Sequence, residues 1–570
     1  QLPPPTSNQT SYHQEPRSPH EEILHQLYTD VLNQPNISTH DSFFALGGDS
    51  LQATRLISRI HTATGTHIPI RDLFQHPTIH ALATHTTWTD SAARPALLPT
   101  PPRPDRPPLS HGQQRMWFLH HHEGPNPANN IPHATRLHGP LNTGALQAAF
   151  HDVARRHEIL RTLYRDNNGV PYQHILSPDD PEALPGLSVL PTTTATLNTD
   201  LAATLRQGFD IENEIPWRAT LHRISPTDHV LVLVVHHIAA DGWSLGTLTR
   251  ELAAAYTARL DGNAPEWAPL PLQYADYATW QRAHLPTSPH PAPESHLAEQ
   301  LAYWTKHLAG LPSPPPLPTD RSREHGGSVP VVVDAEVHRR LLELARRENA
   351  TLFMVVQAGL VAALSALGPV TGPAPGGTAI SSATDVVLGT VTAGRSDPVL
   401  GDVVGLFANT LVLRTDASGN PSFLELLRRV KDVNLAAHTH QDIPFDLLTE
   451  LLRPVRYPPF QVILGLDNLP RRAWELPGLR PTHLLPSQGA RGGAMCEVAL
   501  SLEERTSAGG EAGGIDGVLW FDLDAVGRRT GEQLAALLLE VLLLVAGEPS
   551  ARIDRVHAFL THHPKETENP

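Results

Sequence analysis

His236-His237-Ile238-Ala239-Ala240-Asp241-Gly242 directly follows a run of six apolar residues that begins at Val230. A run this short, apolar and rich in β-branched side chains predicts a strand that is buried on both faces. Two imidazoles and a carboxylate at the exit of such a strand suit chemistry, because burial shifts pKa values and holds a base in place. Taken alone, the stretch fits a second interpretation equally well. In that interpretation the two histidines only cap the strand, and the aspartate only starts the next helix.

Composition limits the classes of protein to which the chain can belong. Its 570 residues predict roughly two to four domains, and a hydrophobic content of 40% is enough for real cores. The net charge of −15, without any basic block, argues against nucleic acid and anionic membranes as partners. No apolar run reaches the ~20 residues of a transmembrane helix, and no signal peptide opens the chain. With a single cysteine, Cys496, a reducing, cytoplasmic location is expected and no intrachain disulfide can form.

A small helical domain is predicted over residues 20–88, after a polar, proline-rich linker tail at 1–19. Apolar residues recur at helical spacing between Ile23 and Leu32, which indicates an amphipathic helix. A second helix follows Gly47-Gly48-Asp49-Ser50. Because Asp and Ser are both common at helix N-caps, this motif by itself indicates no more than a helix start.

The longer segment Leu46-Gly47-Gly48-Asp49-Ser50-Leu51, inside a domain of this size, resembles the peptidyl carrier protein of nonribosomal peptide synthetases. The resemblance implies that Ser50 carries 4′-phosphopantetheine as a phosphodiester, with Asp49 beside it in the cofactor site. A phosphate at the first turn of a helix is favoured by unpaired backbone N–H groups and by the helix dipole. The two glycines are expected to leave the hydroxyl open to a phosphopantetheinyl transferase.

A proline-rich linker at 89–109 leads into a region of mixed α/β pattern. Two lobes of similar size are predicted, an N-terminal lobe over 110–280 and a C-terminal lobe over 281–562, before a tail at 563–570. The clearest helices are predicted at 146–157, 244–259, 336–348 and 352–367.

Several segments of this region resemble the successive motifs of a nonribosomal peptide condensation domain, in family order. They are 110–119, 156–164, 236–244, 274–280, 392–411, 441–446 and 453–463. The resemblance implies two α/β lobes like chloramphenicol acetyltransferase, set in a V with a tunnel between them. The fold class is therefore multidomain: a small four-helix-bundle carrier followed by a two-lobed α/β condensation domain. Residues 110–119 and the Glu-Gly-Pro at 123–125 resemble the subtype that takes an L-configured or glycyl donor.

Three places depart from the family pattern. Asn130 stands where many members have Tyr, the segment 494–498 replaces a common aromatic–Asp pair, and 520–522 differs slightly from the usual strand. Asn130 and the strand at 494–498 could line the tunnel, and these changes could then bear on substrate selection.

The implied reaction is amide formation, in which an acceptor α-amine attacks the carbonyl of a donor thioester. Because a thioester is already activated, positioning can supply much of the rate. His237 is the predicted catalytic residue: it would accept the amine proton, or orient the amine and stabilise the charged intermediate. The sequence leaves both roles open. Neighbouring residues of a strand point to opposite faces, so His236 is expected to be structural, although it belongs to the same catalytic motif.

Asp241 is implied by the resemblance to be an organiser of the loop. Because a buried carboxylate needs a partner, we expect an ion pair with an arginine, and Arg395 is the candidate. Gly242 gives room for a tight turn and for close approach of the phosphopantetheine arm. Trp243 and Ser244 are expected to serve packing and helix capping.

Two further groups of polar residues carry weaker hypotheses. Asn409 is a candidate contact for the substrate or for a neighbouring loop. The three histidines His120-His121-His122 lack ligand spacing, so a solvated surface cluster is expected and no metal site is predicted.

Three alternatives remain beside a carrier–condensation didomain. An epimerase of the same fold keeps the paired histidines and also follows a carrier, but residues 110–119 resemble a condensation domain. A non-catalytic relative that recruits another protein usually loses the histidine motif, and a heterocyclisation domain replaces it with an Asp-rich one. The chain begins with Gln1 and is expected to be a monomeric piece of a larger synthetase. Its expected partners are adenylation domains and an acceptor aminoacyl carrier of the same assembly line.

Overall fold

The structure, a computed structural model, places most of the chain. It describes residues 14–66, 68–88, 97, 99, 103–285, 296–311, 327–367, 384–452, 459–467, 476–484, 496–506, 511–522 and 526–555. Most of the predicted tail 1–19 and linker 89–109, the tail 563–570, and parts of the motif segments 453–463 and 494–498 lie outside the described residues.

Within residues 14–88 the described chain forms a small helical domain. Its helices are α1 (Pro19–Leu32), α2 (Ser50–Thr64), α3 (Ile70–Gln75) and α4 (Ile79–His85). Their apolar faces meet around Tyr28, Phe43 and Leu56, which are fully buried. This burial is what holds such short helices together, since isolated helices of this length are marginal in water. The predicted four-helix carrier bundle is confirmed.

The first half of the remaining chain alternates helices and strands. Its elements are α5 (His111–Glu123), β1 (Asn130–His138), α6 (Thr143–Arg156), β2 (Thr162–Asn167), β3 (Val170–Ile175), β4 (Leu187–Pro191), α7 (Leu197–Leu205), β5 (Trp217–Ser225), β6 (Asp228–His236), α8 (Gly242–Leu260) and α9 (Tyr274–His284).

The second half continues in the same way. Its elements are α10 (His296–Leu308), β7 (Gly327–Val333), α11 (Ala335–Arg347), α12 (Leu352–Leu367), β8 (Asp385–Thr392), β9 (Asn409–Asp416), α13 (Phe423–Thr439), α14 (Phe445–Leu452), β10 (Val462–Asp467), β11 (Arg480–Leu484), β12 (Val498–Thr506), β13 (Ala512–Phe521) and α15 (Arg528–Gly547).

The N-terminal lobe is built on a five-stranded sheet with the order β11-β1-β6-β5-β4. Strand β6 lies near its centre, antiparallel to both β1 and β5, and residues 229–236 of β6 are all buried. The strand that the apolar run predicts is therefore present, and its last residue, His236, lies in the interior.

The C-terminal lobe is built on a six-stranded sheet with the order β7-β13-β12-β10-β8-β9. Strand β10 runs parallel to β8 and to β12, and the outer pairs are antiparallel. Helix α12 is almost entirely buried and packs against α13 and α15. The two-lobed α/β fold is confirmed.

Helix α15 is long and apolar enough to cross a membrane by length and composition, although the sequence was not expected to contain such a run. Half of its apolar window is buried in the C-terminal lobe, where it packs on α12 and β7. Burial of this kind gives a core helix the same composition as a membrane span.

The two lobes exchange segments. Strand β11, from the second half of the chain, pairs with β1 at the edge of the N-terminal sheet. Leu400, Leu406 and Phe407 are buried in the apolar core of the N-terminal lobe. Arg103, in the predicted linker, forms an ion pair with Asp276 at 2.8 Å. The predicted boundary at residue 280 thus divides neither the sheets nor the cores, because segments after residue 280 complete the N-terminal lobe. The end of the predicted linker also belongs to that lobe.

Candidate functional site

The loop that follows β6 is held by backbone hydrogen bonds on both sides. The His236 amide donates to Pro216 O at 2.8 Å, and the His237 amide donates to Asn129 O at 2.7 Å. Two side chains from other motif segments, Gln113 and Tyr164, reach Ile238 O at 3.3 and 3.4 Å. The backbone of the two histidines is therefore held by the residues that precede β5 and β1, and the next peptide group is held by α5 and β2.

His236 lies in the packed interior, with 2% of its surface exposed. Its Nδ1 accepts a hydrogen bond from the Ile238 amide at 3.1 Å, and its ring meets the edge of Phe209 with centroids 6.0 Å apart. Burial lowers the pKa of His236 to about 3, and the neighbouring His237 adds to the effect. The ring is therefore neutral at physiological pH and bonded to its own loop.

His237 alone among residues 229–241 is partly exposed. Desolvation of the imidazole lowers the pKa of His237, and the charge of Arg115 lowers it further. The carboxylate of Asp241 and the backbone at Ala240 oppose this decrease. A neutral imidazole is the state in which histidine accepts a proton, and part of the His237 surface is exposed.

Asp241 is 1% exposed and caps helix α8. Its carboxylate accepts from the Ser244 amide at 2.9 Å, from the Ser244 hydroxyl at 2.7 Å and from the Phe407 amide at 3.0 Å. Gly242, the exposed first residue of α8, places no side chain over the turn.

Arg395 completes this site from the second half of the chain. Its Nη2 lies 3.2 Å from Asp241 Oδ1, and its side chain is only 3% exposed. The guanidinium also donates to Val403 O at 2.6 Å and lies 4.2 Å from the centre of the Phe407 ring. The predicted Asp241–Arg395 pair is thus present, and it ties the segment that crosses between the lobes to the histidine loop.

Asn409 lies apart from the histidine loop, at the start of β9. Its side-chain amide donates to Gln441 O at 2.9 Å and to Ile443 O at 3.0 Å, and its Oδ1 accepts from the Phe445 amide at 2.8 Å. Of the two contacts expected for Asn409, the structure shows the one with the loop.

An ion pair that the sequence analysis missed also joins the lobes. Arg115 Nε in α5 lies 3.0 Å from Asp446 Oδ1 in α14. Burial raises the pKa of Asp446, and Arg115 opposes the increase. Both residues lie in motif segments, 110–119 and 441–446, and this membership could have marked them as candidate functional residues. Sequence alone does not show that two residues so far apart form a pair.

The turn before α2 combines local capping with tight packing. Asp49 caps the helix by accepting from the Gln52 amide at 2.8 Å, and the Gln52 side chain accepts from the Asp49 amide at 3.1 Å. A Cβ on Gly48 would lie 2.3 Å from the Phe43 ring, and Gly47 has a φ of 97°. Both glycines are therefore required by the backbone.

Ser50 is the first residue of α2, and its Oγ is buried and has no hydrogen-bond partner. The expectation that the glycines leave this hydroxyl open is wrong for the conformation described, because the atom has almost no contact with solvent. An unpartnered polar atom at a helix N-terminus, beside unpaired backbone N–H groups, fits the attachment point of a phosphodiester.

The three consecutive histidines in α5 do not behave alike. His121 and His122 are exposed, as expected, but the side chain of His120 is only 9% exposed and lies 4.0 Å from Asp210. Within the described ranges, no group of His, Cys, Asp and Glu has the geometry of a metal site.

Asn130, one of the departures from the family pattern, lies close to the histidine loop. It is the first residue of β1, opposite His236 in the register, and is 8% exposed. Its side-chain amide donates to Gln207 O at 2.9 Å. Asn130 therefore joins the start of β1, beside His236, to Gln207 through a polar contact.

Comparison with known families gives two matches in tandem. Residues 104–476 match the condensation domain, and residues 22–86 match the phosphopantetheine attachment site. The second match covers the small helical domain with Asp49 and Ser50. The first covers both lobes up to the segment that precedes β11.

Relatives align with nearly the whole chain. A dimodular nonribosomal peptide synthase of Bacillus subtilis is 44% identical over 97% of the chain, which spans 23% of that protein. An isonitrile lipopeptide synthase of Mycobacterium tuberculosis is 37% identical over 94% of the chain, which spans 21% of that protein.

Solved structures share the architecture of the lobes. The X-domain from teicoplanin biosynthesis is 35% identical, with a TM-score of 0.70, over 81% of this chain and 99% of that one. The first condensation domain of the calcium-dependent antibiotic synthetase, at 19% identity over 79% of this chain and 98% of that one, shares the fold with a TM-score of 0.63. The chain therefore belongs to the condensation domains of nonribosomal peptide synthetases, with a phosphopantetheine attachment domain directly before it.

Proposed function

We propose that the chain forms amide bonds. The carrier domain holds a donor aminoacyl or peptidyl group, and the condensation domain transfers it to the amine of an aminoacyl thioester on another carrier. The observation that carries this proposal is the partly exposed, neutral His237 directly after a buried strand. The donor is proposed to be L-configured or glycyl, on the resemblance of residues 110–119 and 123–125.

Ser50 is the proposed attachment point of the 4′-phosphopantetheine arm, and Asp49 holds the turn that presents it. When attached, the arm supplies the donor as a reactive thioester. Modification of Ser50 requires a phosphopantetheinyl transferase, and loading requires adenylation domains elsewhere in the assembly line.

His237 is the proposed catalytic base. In the reaction a C–N bond forms, the C–S bond of the donor breaks, and the attacking amine must lose a proton. The neutral imidazole accepts that proton and returns it to the departing sulfur. His236, which is bonded to the Ile238 amide, has no such freedom.

Asp241 and Arg395 are positioning residues in this proposal. The carboxylate fixes the first turn of α8 and therefore the direction in which the preceding loop leaves β6. Arg395 neutralises this buried charge and joins it to the crossing segment. Asn409 acts at a greater distance, since its amide holds the loop before α14.

Recruitment of another protein is the second candidate function. The observation behind it is the 35% identity to the teicoplanin X-domain, which has also been solved as a complex with OxyB. In that case His237 would have no chemical role, and replacing it would leave function unchanged.

Intact-mass spectrometry tests the proposal in two steps. Incubation with a phosphopantetheinyl transferase and coenzyme A should add one phosphopantetheine to the wild type and none to Ser50→Ala. Absence of the mass gain in the wild type would contradict the carrier assignment.

The second step measures transfer. Ser50 is loaded with a panel of L- and D-aminoacyl arms, and glycyl and alanyl acceptor carriers are added. The L-aminoacyl group should then move to the acceptor. No transfer from any arm, together with normal loading, would favour recruitment.

A further inference from the structure

The carrier domain lies against the condensation domain through contacts that involve two cation–aromatic pairs. In the first, the guanidinium of Arg55 in α2 lies 4.2 Å from the centre of the Trp243 ring. In the second, the ammonium of Lys431 in α13 lies 5.7 Å from the centre of the Phe74 ring. Each domain thus gives one cation and receives one, so the two contacts are reciprocal. A cation over an aromatic face is attracted by the ring quadrupole, and more strongly where water is excluded.

Trp243 is the residue directly after Gly242, in the first turn of α8. Its indole N–H donates to Gly401 O at 2.9 Å, which fixes the ring beside the segment 398–400. Helix α2 packs against that same segment. The platform that receives Arg55 is therefore rigidly connected to the histidine loop.

Ser50 and Arg55 share helix α2, and five residues of helix separate them by about 7.5 Å along the axis. Any contact that fixes Arg55 therefore also fixes where Ser50 lies. Helix α3, which carries Phe74, packs against α13 and supplies a second point of support. Two separated points prevent the carrier from pivoting, whereas one contact alone would allow it.

We propose that Trp243 is a docking platform for the carrier domain, and that Arg55 on Trp243 and Lys431 on Phe74 together fix Ser50 beside the condensation domain. Trp243 and Arg55 are positioning residues, since neither is assigned a bond-making or proton-transfer role. The docking itself is independent of the function proposed above. Only its consequence, faster transfer from the carrier in cis, rests on that function.

Distance measurement by double electron–electron resonance tests the docking on the full chain, with no acyl group attached to Ser50. Spin labels at Ala63→Cys and Arg155→Cys would sit on exposed residues of α2 and α6, and the native Cys496 is buried. We expect one narrow distance distribution in the otherwise unchanged protein. It should broaden with Arg55→Ala and remain narrow with Arg59→Ala, a matched control one turn along whose contact with Asp30 is exposed. A distribution that Arg55→Ala leaves narrow would overturn the proposal.

Transfer kinetics give the second readout. Arg55→Ala should slow transfer from the loaded Ser50 about tenfold, which corresponds to about 1.4 kcal/mol, and leave transfer from a small soluble acyl thioester unchanged. In the Trp243→Leu background, Arg55→Ala should have little further effect, because the partner is already gone. Equal slowing with both donors, or full additivity in the double variant, would contradict the docking role. If the wild type forms no amide from either donor, the proposed function fails while the distance measurement still decides the docking.

Discussion

Two helices of the molecule begin in nearly the same way and are supported very differently. Asp241 caps α8 and Asp49 caps α2, and each carboxylate accepts from the amide three residues later. Asp241 is buried and is also bonded to Phe407 and Arg395 from the second half of the chain. The cap at Asp49 is a local capping box with Gln52. The histidine loop is thus fixed by contacts with the second half of the chain, whereas the turn before α2 is capped by a residue of its own helix.

Removing the Asp241 carboxylate should have the largest effect on stability. Asp241→Asn leaves Arg395 buried without its counter-charge, so the free energy of unfolding should fall by about 3–5 kcal/mol. Chemical denaturation followed by fluorescence measures it. The matched control is Asp385→Asn, which breaks a partly exposed pair with Arg414 and should cost under about 1 kcal/mol. Equal losses in the two variants would remove the distinction between a locked and a local helix start.

The buried His236 should make stability depend on pH. Its pKa is about 3 in the native state and about 6.5 when unfolded, so above pH 6.5 the ring is neutral in both states and has no effect. Below pH 6.5 the unfolded state binds the proton first, and stability falls by about 1.4 kcal/mol per pH unit until pH approaches 3. His236→Asn keeps an acceptor for the Ile238 amide and does not titrate, so its profile should be flatter by that slope. Parallel profiles of the variant and the wild type between pH 6 and 4 would contradict the assignment.

The cap at Asp49 should matter less than its counterpart in the condensation domain. Asp49→Ala removes one capping bond on a partly exposed turn and should cost the carrier domain about 1 kcal/mol. Thermal unfolding, with Asp49→Asn as the conservative control, measures the loss. A cost as large as that of Asp241→Asn would show that the carrier turn has tertiary support as well.

The smallest effect concerns the enclosed Ser50 hydroxyl. If docking covers it, Lys431→Ala should loosen the carrier and speed modification of Ser50 a few-fold without altering the carrier itself, because Lys431 lies in α13. The rate of mass gain with a phosphopantetheinyl transferase measures this. An unchanged or slower rate would show that the cover lies within the carrier domain.

Sequence alone predicted the features that depend on local pattern. The apolar run gave the position of β6, and helix α12 spans the predicted residues 352–367. The Asp241–Arg395 pair could be expected because a buried carboxylate needs a cation. The exchange of segments between lobes and the Arg115–Asp446 pair could not be predicted, because each depends on distant parts of the chain meeting in space. The enclosed Ser50 hydroxyl was missed because the glycine pair indicates backbone freedom and says nothing about side-chain burial.

We propose that the two adjacent histidines differ in role because His236 is enclosed and His237 is partly exposed. Single-turnover transfer from loaded Ser50 to an acceptor carrier, measured for His237→Ala and His236→Asn, tests it most directly. His237→Ala should slow transfer by about 10²–10⁴-fold, whereas His236→Asn should retain most of the rate, with the loading of Ser50 equal in both. Normal transfer by His237→Ala, or an equal loss in the two variants, would contradict the account.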